Sequence, residues 1–120
     1  YFIVSTDIII KMFRHKQKGY RVERKVREIL EKNNWTIIRA GGSLGEADLV
    51  GIKNGQCKFF QIKSTKKKTF YYYGYMNSEL EGIQFHVIVD FGYGNIRILP
   101  PHRKIKNTDG ETLTDFIKRS

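Results

Sequence analysis

A mixed β-sheet flanked by α-helices, an α/β fold, is what this sequence predicts, and three observations predict it. Residues 17–33 carry apolar side chains at helical spacing, and residues 111–119 return to that spacing at the far end. Between them lie several short β-branched and aromatic runs. Two of those runs flank Asn54-Gly55, a strong hairpin signal because a type I′ turn needs positive φ at both central residues. The 120 residues make one domain with room for one sizeable core.

The first helix is read over residues 17–33, with Val22, Val26, Ile29 and Leu30 inward and Asn33-Asn34 as its end. Trp35 to Arg39 reads as a strand, residues 40–45 as a glycine-rich loop, and residues 46–52 and 56–64 as the two arms of the hairpin. A basic run, Lys66 to Lys68, precedes an aromatic run, Phe70 to Tyr73. Residues 77–82 have room for one helical turn. Residues 84–91 and 96–99 read as strands joined at Gly92-Tyr93-Gly94-Asn95, residues 100–110 as loop, and residues 111–119 as a closing helix with Leu113, Phe116 and Ile117 inward. The expected order is α-β-β-β-(α)-β-β-α.

A net charge of +10 on so small a domain points to a polyanionic partner, the plain alternative being a basic solvated surface. The single cysteine, Cys57, excludes an internal disulfide, suits a reducing, cytoplasmic setting and reads as a packing residue in its strand. His15, His86 and His102 are too scattered for a zinc site. Residues 1–10 are apolar but too short to span a membrane, and positive charge follows rather than precedes them, unlike a secretory signal. Met12 offers an internal start, which would make residues 1–11 an extension and 12–120 the domain; the same segment reads equally as an extra strand.

The hairpin carries the chemistry. A two-residue loop at Asn54-Gly55 pairs Lys53 with Gln56, so opposed residues have numbers summing to 109 and Asp48 faces Gln61, with Cβ atoms about 4.5–5.5 Å apart. Lys63 shares that face, and Glu46 lies opposite it. A bulge would break this register. Apolar neighbours such as Phe59, Phe60 and Ile62 make the hairpin central, where polar groups are costly unless paired or bound to a metal. An ion pair of Lys63 with Asp48 or Glu46 that only orders the sheet is the alternative.

Glu23 borders the apolar stripe of the first helix, in register with Val26 and Leu30, and is placed to overhang the sheet; a surface pair with Arg27 is the competing role. Cations bracket that helix. The reading assigns phosphate contacts to Lys16, Lys18, Arg21, Arg24, Lys25, Arg39 and the run Lys66, Lys67 and Lys68. Glu23, Asp48, the Gln61 side-chain oxygen and the Ile62 carbonyl form an all-oxygen donor set suited to Mg²⁺. Such a metal would polarise a scissile phosphate, with Lys63 positioning water or neutralising developing charge.

Ala47-Asp48, then the hairpin, then Gln61-Ile62-Lys63 resembles the PD-(D/E)xK nuclease superfamily, whose fold is restriction-endonuclease-like. Within it the likeness is to the archaeal-type Holliday-junction resolvases: KGYRVER at Lys18 to Arg24 presents Glu23, and RAGGS at Arg39 to Ser43 presents an arginine and a serine before the aspartate. The resemblance runs from about residue 17 to residue 118. It implies a homodimer that nicks four-way DNA junctions symmetrically with Mg²⁺, or with Mn²⁺ in its place, with no small-molecule cofactor and no membrane. It carries catalytic roles onto Glu23, Ser43, Asp48, Gln61 and Lys63.

The sequence departs from that pattern in three places. Gln61 stands where the family usually has an acid, as in Mrr-type restriction enzymes, and removes a charge from the metal site. Ala47 replaces the usual proline. The stretch from Phe70 to Phe85 is too short for the family's second long helix, where its dimer packs. Small size, the short middle and Gln61 together suggest a viral version of such an enzyme, acting in a host's cytoplasm. Two other readings stay open: a nuclease of the same fold acting on other DNA, and a DNA-binding module that does not cut. Tyr71, Tyr72, Tyr73 and Tyr75 are candidates for a dimer core or for stacking on unpaired bases.

Overall fold

In the computed structural model the backbone is described for residues 6–40 and 47–120, and side chains from residue 19 onward. Helix α1 (Thr6–Lys32) is followed by strands β1 (Thr36–Arg39), β2 (Leu49–Lys53), β3 (Gln56–Ser64), β4 (Thr69–Tyr71), β5 (Glu79–Leu80), β6 (Ile83–Asp90), β7 (Ile96–Leu99), β8 (Lys104–Lys106) and β9 (Glu111–Thr112), and the chain closes with helix α2 (Leu113–Arg119). Among the described residues one sheet runs β1-β2-β3-β6-β7-β9, with β5 also on β6, while β4 and β8 form a separate antiparallel pair. Among the described strands only β3 and β6 pair in parallel, Ile62 beside Ile88 and Ser64 beside Asp90, so both strands end at the same edge of the sheet.

Helix α1 buries Val26 and Leu30, one turn apart on one face. Its end is a Schellman motif: the Trp35 N–H donates to the Leu30 carbonyl (3.1 Å), the Asn34 N–H to that of Glu31 (3.3 Å), and Asn34 takes φ 72°. Trp35 then packs beside Leu30 in the core under α1, with Leu49, Phe60, Ile62, Ile88, Ile98, Leu113 and Phe116. On α2, Thr112 caps the Asp115 N–H (3.1 Å) while Leu113 and Phe116 turn inward. The opposite sheet face packs Val50, Phe59, Val87 and Val89 against Tyr72 and Ile105 from the β4–β8 side, and Cys57 lies against this second core. Alternation along β2 and β3 thus feeds a buried cluster on each face, where the chain length alone led to the expectation of one core.

Several expectations are corrected. Residues 6–10 are helical, not a strand. Residues 77–82 form no helical turn: β5 and β6 make a hairpin about Glu81-Gly82, with φ 53° and 79°. The expected loop at 100–110 contains β8, whose Ile105 faces Phe70 of β4. Tyr72 is 1 % exposed and belongs to the protomer's own core, which removes it from any dimer or base contact. No helix lies between Phe70 and Phe85, in keeping with the shortness of that stretch.

Candidate functional site

The hairpin register is the expected one, from Lys53↔Gln56 to Leu49↔Phe60. It slips by one at Asp48, whose N–H donates to the Phe60 carbonyl (2.9 Å) while its own carbonyl accepts from Ala40 (2.9 Å). Two residues, Asp48 and Leu49, therefore face Phe60, the arrangement of a β-bulge. Bulges re-aim side chains, and here Asp48 Oδ2 accepts from the Ile62 N–H (2.7 Å) and from Gln61 Nε2 (3.2 Å). With its nitrogen so engaged, the Gln61 amide keeps its oxygen for another partner.

Burial pushes the Asp48 carboxyl above the ordinary aspartate range; the Ile62 N–H opposes that rise, the charge of Glu23 adds to it, and the charge of Lys63 opposes it. Glu23 from α1 and Lys63 from the end of β3 are thus both within electrostatic reach of Asp48 at the start of β2. Arg39 Nε holds Glu23 Oε1 at 2.7 Å. The competing surface pair with Arg27 is absent, because Arg27 bonds Glu31 (3.3 Å). Arg39 also stacks over the Tyr20 ring at 5.0 Å. The end of β1 therefore fixes the acid of α1 beside the hairpin.

The residues assigned to phosphate contact divide. Arg21 and the run Lys66 to Lys68 are exposed. Arg24 pairs with Glu28 (3.0 Å) and Lys25 with Asp90 (3.1 Å), so both also serve the fold. Lys16 and Lys18 lie on α1 with side chains outside those described, and Ser43 and Glu46 lie outside the described residues. Asp90 is a residue the sequence reading missed. It is 7 % exposed at the end of β6, tied to α1 through Lys25, and its second oxygen accepts from the Gly92 N–H (2.8 Å). An aspartate closing an apolar strand just before a glycine was the available signal.

Among the described residues no three His, Cys, Asp or Glu side chains gather closely enough to hold a metal. A cleft of about 600 Å³ lies elsewhere, at the hairpin tip between Trp35, Lys53, Lys58 and Arg119. No helix among the described residues is long and apolar enough to cross a membrane.

Comparison with known proteins adds to this geometry. Crossover junction endodeoxyribonuclease Hjc of Methanocaldococcus jannaschii is 39 % identical over 59 residues, 48 % of this chain, and the match spans 44 % of that relative's length. The structure of Hjc from Archaeoglobus fulgidus, a Holliday junction resolvase from an archaeal hyperthermophile, aligns with a TM-score of 0.65 at 20 % identity, over 84 % of this chain and 96 % of that one. The shared architecture is the restriction-endonuclease-like mixed sheet with flanking helices. The family model for archaeal Holliday junction resolvase (Hjc) matches residues 14–88, a span that holds Glu23, Asp48, Gln61 and Lys63, and the chain belongs to that family.

Proposed function

We propose that this chain is a metal-dependent endonuclease that resolves four-way DNA junctions by paired symmetric nicks, acting as a homodimer. The observation that carries the reading is the half-buried Asp48 carboxylate, held by the Ile62 N–H and Gln61 and flanked by Glu23 and Lys63. A carboxylate whose charge is raised in energy by burial and by a neighbouring acid is stabilised by a bound cation. The donor set fits a hard ion: Asp48, Glu23, the Gln61 side-chain oxygen and the Ile62 carbonyl are all oxygens. Mg²⁺, with Mn²⁺ able to replace it, would supply Lewis acidity toward the phosphate and a more acidic attacking water.

The chain's own residues do the rest. Arg39 restrains Glu23 so that its carboxylate stays at the hairpin instead of joining the helix surface. Lys63, half-buried on the Gln61 face of β3, places a cation where negative charge develops on a phosphate under attack. Ser43 joins the site by the resemblance. Arg21 and the lysines at 66–68 offer phosphate contacts that fix the register of the DNA. A two-fold dimer places two such sites on two symmetric strands, which is what a four-way junction requires.

The absence of a third carboxylate among the described residues favours one competing reading, a DNA-binding module that does not cut. One assay separates them. With Mg²⁺ the protein should convert a synthetic four-way junction into two nicked duplexes, leave linear duplex nearly untouched, and stop cutting in EDTA. Binding without cutting would establish the inactive module. Equal cutting of junction and duplex would establish a nuclease for other DNA.

A further inference from the structure

Among the described residues the Tyr93 side chain has no hydrogen-bond, ion-pair or ring partner. Its side chain is fully exposed, yet it occupies the first central position of a type I′ turn with φ 53°, a region that bulky residues rarely enter. Strain of this kind, kept in a well-fixed turn, is a reason to look for function.

The turn is fixed on all sides. The Asn95 N–H donates to the Gly92 carbonyl (3.0 Å) and the Phe91 N–H to the Asn95 carbonyl (2.9 Å). The Gly92 N–H is held by buried Asp90, which is itself anchored to α1 by Lys25. The Asn95 side chain donates to the Asn107 carbonyl (2.9 Å), and Arg97 Nε donates to the Asn95 side-chain oxygen (2.9 Å). The backbone that carries this exposed ring therefore loses little conformational freedom on binding.

Its position links it to the site. Lys63 lies beside Val89 across the parallel pair, and the β6–β7 turn rises four residues beyond Val89 at that same sheet edge. The basic run lies there as well: the Thr65 N–H donates to the Asp90 carbonyl (3.0 Å), the Lys67 N–H to Thr65 Oγ1 (3.1 Å), and the Asn107 N–H to the Lys68 carbonyl (2.9 Å). Asn107 thus ties the lysine run to the Tyr93 turn. From Thr65 to Met76 the chain holds three lysines and no acid. An exposed aromatic ring on a fixed turn, joined to a run of cations, is the chemistry that binds an unstacked base and its flanking phosphates.

We propose that Tyr93 is a substrate-positioning residue: its ring stacks on a base unstacked at the branch point of a DNA junction, while Lys66, Lys67 and Lys68 hold the adjacent phosphates. This rests on the reading of the chain as a junction-acting protein, and it assigns discrimination between branched and linear DNA to a residue outside the metal site.

The test is made in EDTA, where cutting is not measured. A four-way junction carrying iododeoxyuridine at the branch point is irradiated with the protein, and the cross-linked peptide is mapped. Wild type should cross-link at Tyr93. Tyr93→Gly, which suits the positive φ and so spares the fold, should lose roughly tenfold in junction affinity, while linear-duplex affinity changes by less than about twofold. Tyr93→Trp should restore the junction affinity. A cross-link that maps elsewhere, or a glycine variant that binds the junction as wild type does, overturns the proposal. Failure of the nuclease reading shows separately, as a wild-type protein that cuts no DNA in Mg²⁺ yet still gives or lacks the Tyr93 cross-link.

Discussion

Among the described residues burial is the leading cause of the pKa shifts of Asp48, Lys58 and His86, and for Asp48 and His86 the consequences differ. For Asp48 the folded pKa is raised, so the charged form costs stability at neutral pH; that cost vanishes as the carboxyl is protonated on acidification. Asp48→Asn removes the charge and is therefore expected to leave the metal-free fold at least as stable. His86 stacks with Phe60 and lies against Phe116, both at 6.0 Å between ring centres, and its Nε2 is buried without a hydrogen-bond partner. Burial first, then the charges of Lys58 and Arg119, lower its pKa to about 4. The fold therefore requires neutral imidazole. The stability this confers is complete above the unfolded value of about 6.5 and is lost as pH falls through about 4. Partial exposure limits the loss to roughly 2 kcal/mol. His86→Phe should flatten urea-denaturation stability between pH 6.5 and 4, whereas wild type declines over that window; equal decline in both proteins would contradict this account. Nothing in the sequence marks His86 for such a role, because its environment comes from Phe60 and Phe116 on distant elements.

Three hairpin turns share one geometry, at Asn54-Gly55, Glu81-Gly82 and Tyr93-Gly94. Sequence reading finds the first because asparagine tolerates positive φ, and it misreads the second because glutamate carries no such preference. It misses β8 for another reason: Lys104–Lys106 becomes a strand only by pairing with β4, more than thirty residues earlier, and that contact leaves no local pattern. The bulge at Asp48 is hidden in the same way, since regular hairpin arithmetic assumes an unbroken ladder. Gly51 adds a constraint invisible in the pattern of β2. A Cβ there would meet Phe60 Cε2 at 2.6 Å and Trp35 Cε3 at 3.0 Å. Gly51→Ala should therefore destabilise the protein by about 2 kcal/mol in chemical denaturation, the usual scale of overpacking. An unchanged midpoint would mean that Trp35 moves aside freely.

For the molecule as a whole, charge and site converge at one edge of the sheet. The parallel pairing of β3 with β6 brings Lys63, Asp90 and the lysine run together there, and α1 adds Glu23. Part of this was legible: the spacing of the hairpin put Gln61 and Lys63 on one face of β3 with Asp48 near them, though the bulge moves Asp48 out of the facing position, and helical periodicity placed Glu23 at the stripe's border. The partners that fix the site, Arg39 on Glu23 and Lys25 on Asp90, were not legible, because ion pairs between distant elements depend on tertiary packing. The central claim is that Asp48 is the pivot of a metal-dependent junction nuclease. Its most direct test is to incubate wild type and Asp48→Asn with a labelled four-way junction in Mg²⁺ and measure nicked duplex alongside junction binding. The account predicts paired nicks by wild type, and by Asp48→Asn undiminished binding with no cutting above the EDTA background. Cutting by Asp48→Asn at the wild-type rate would contradict it.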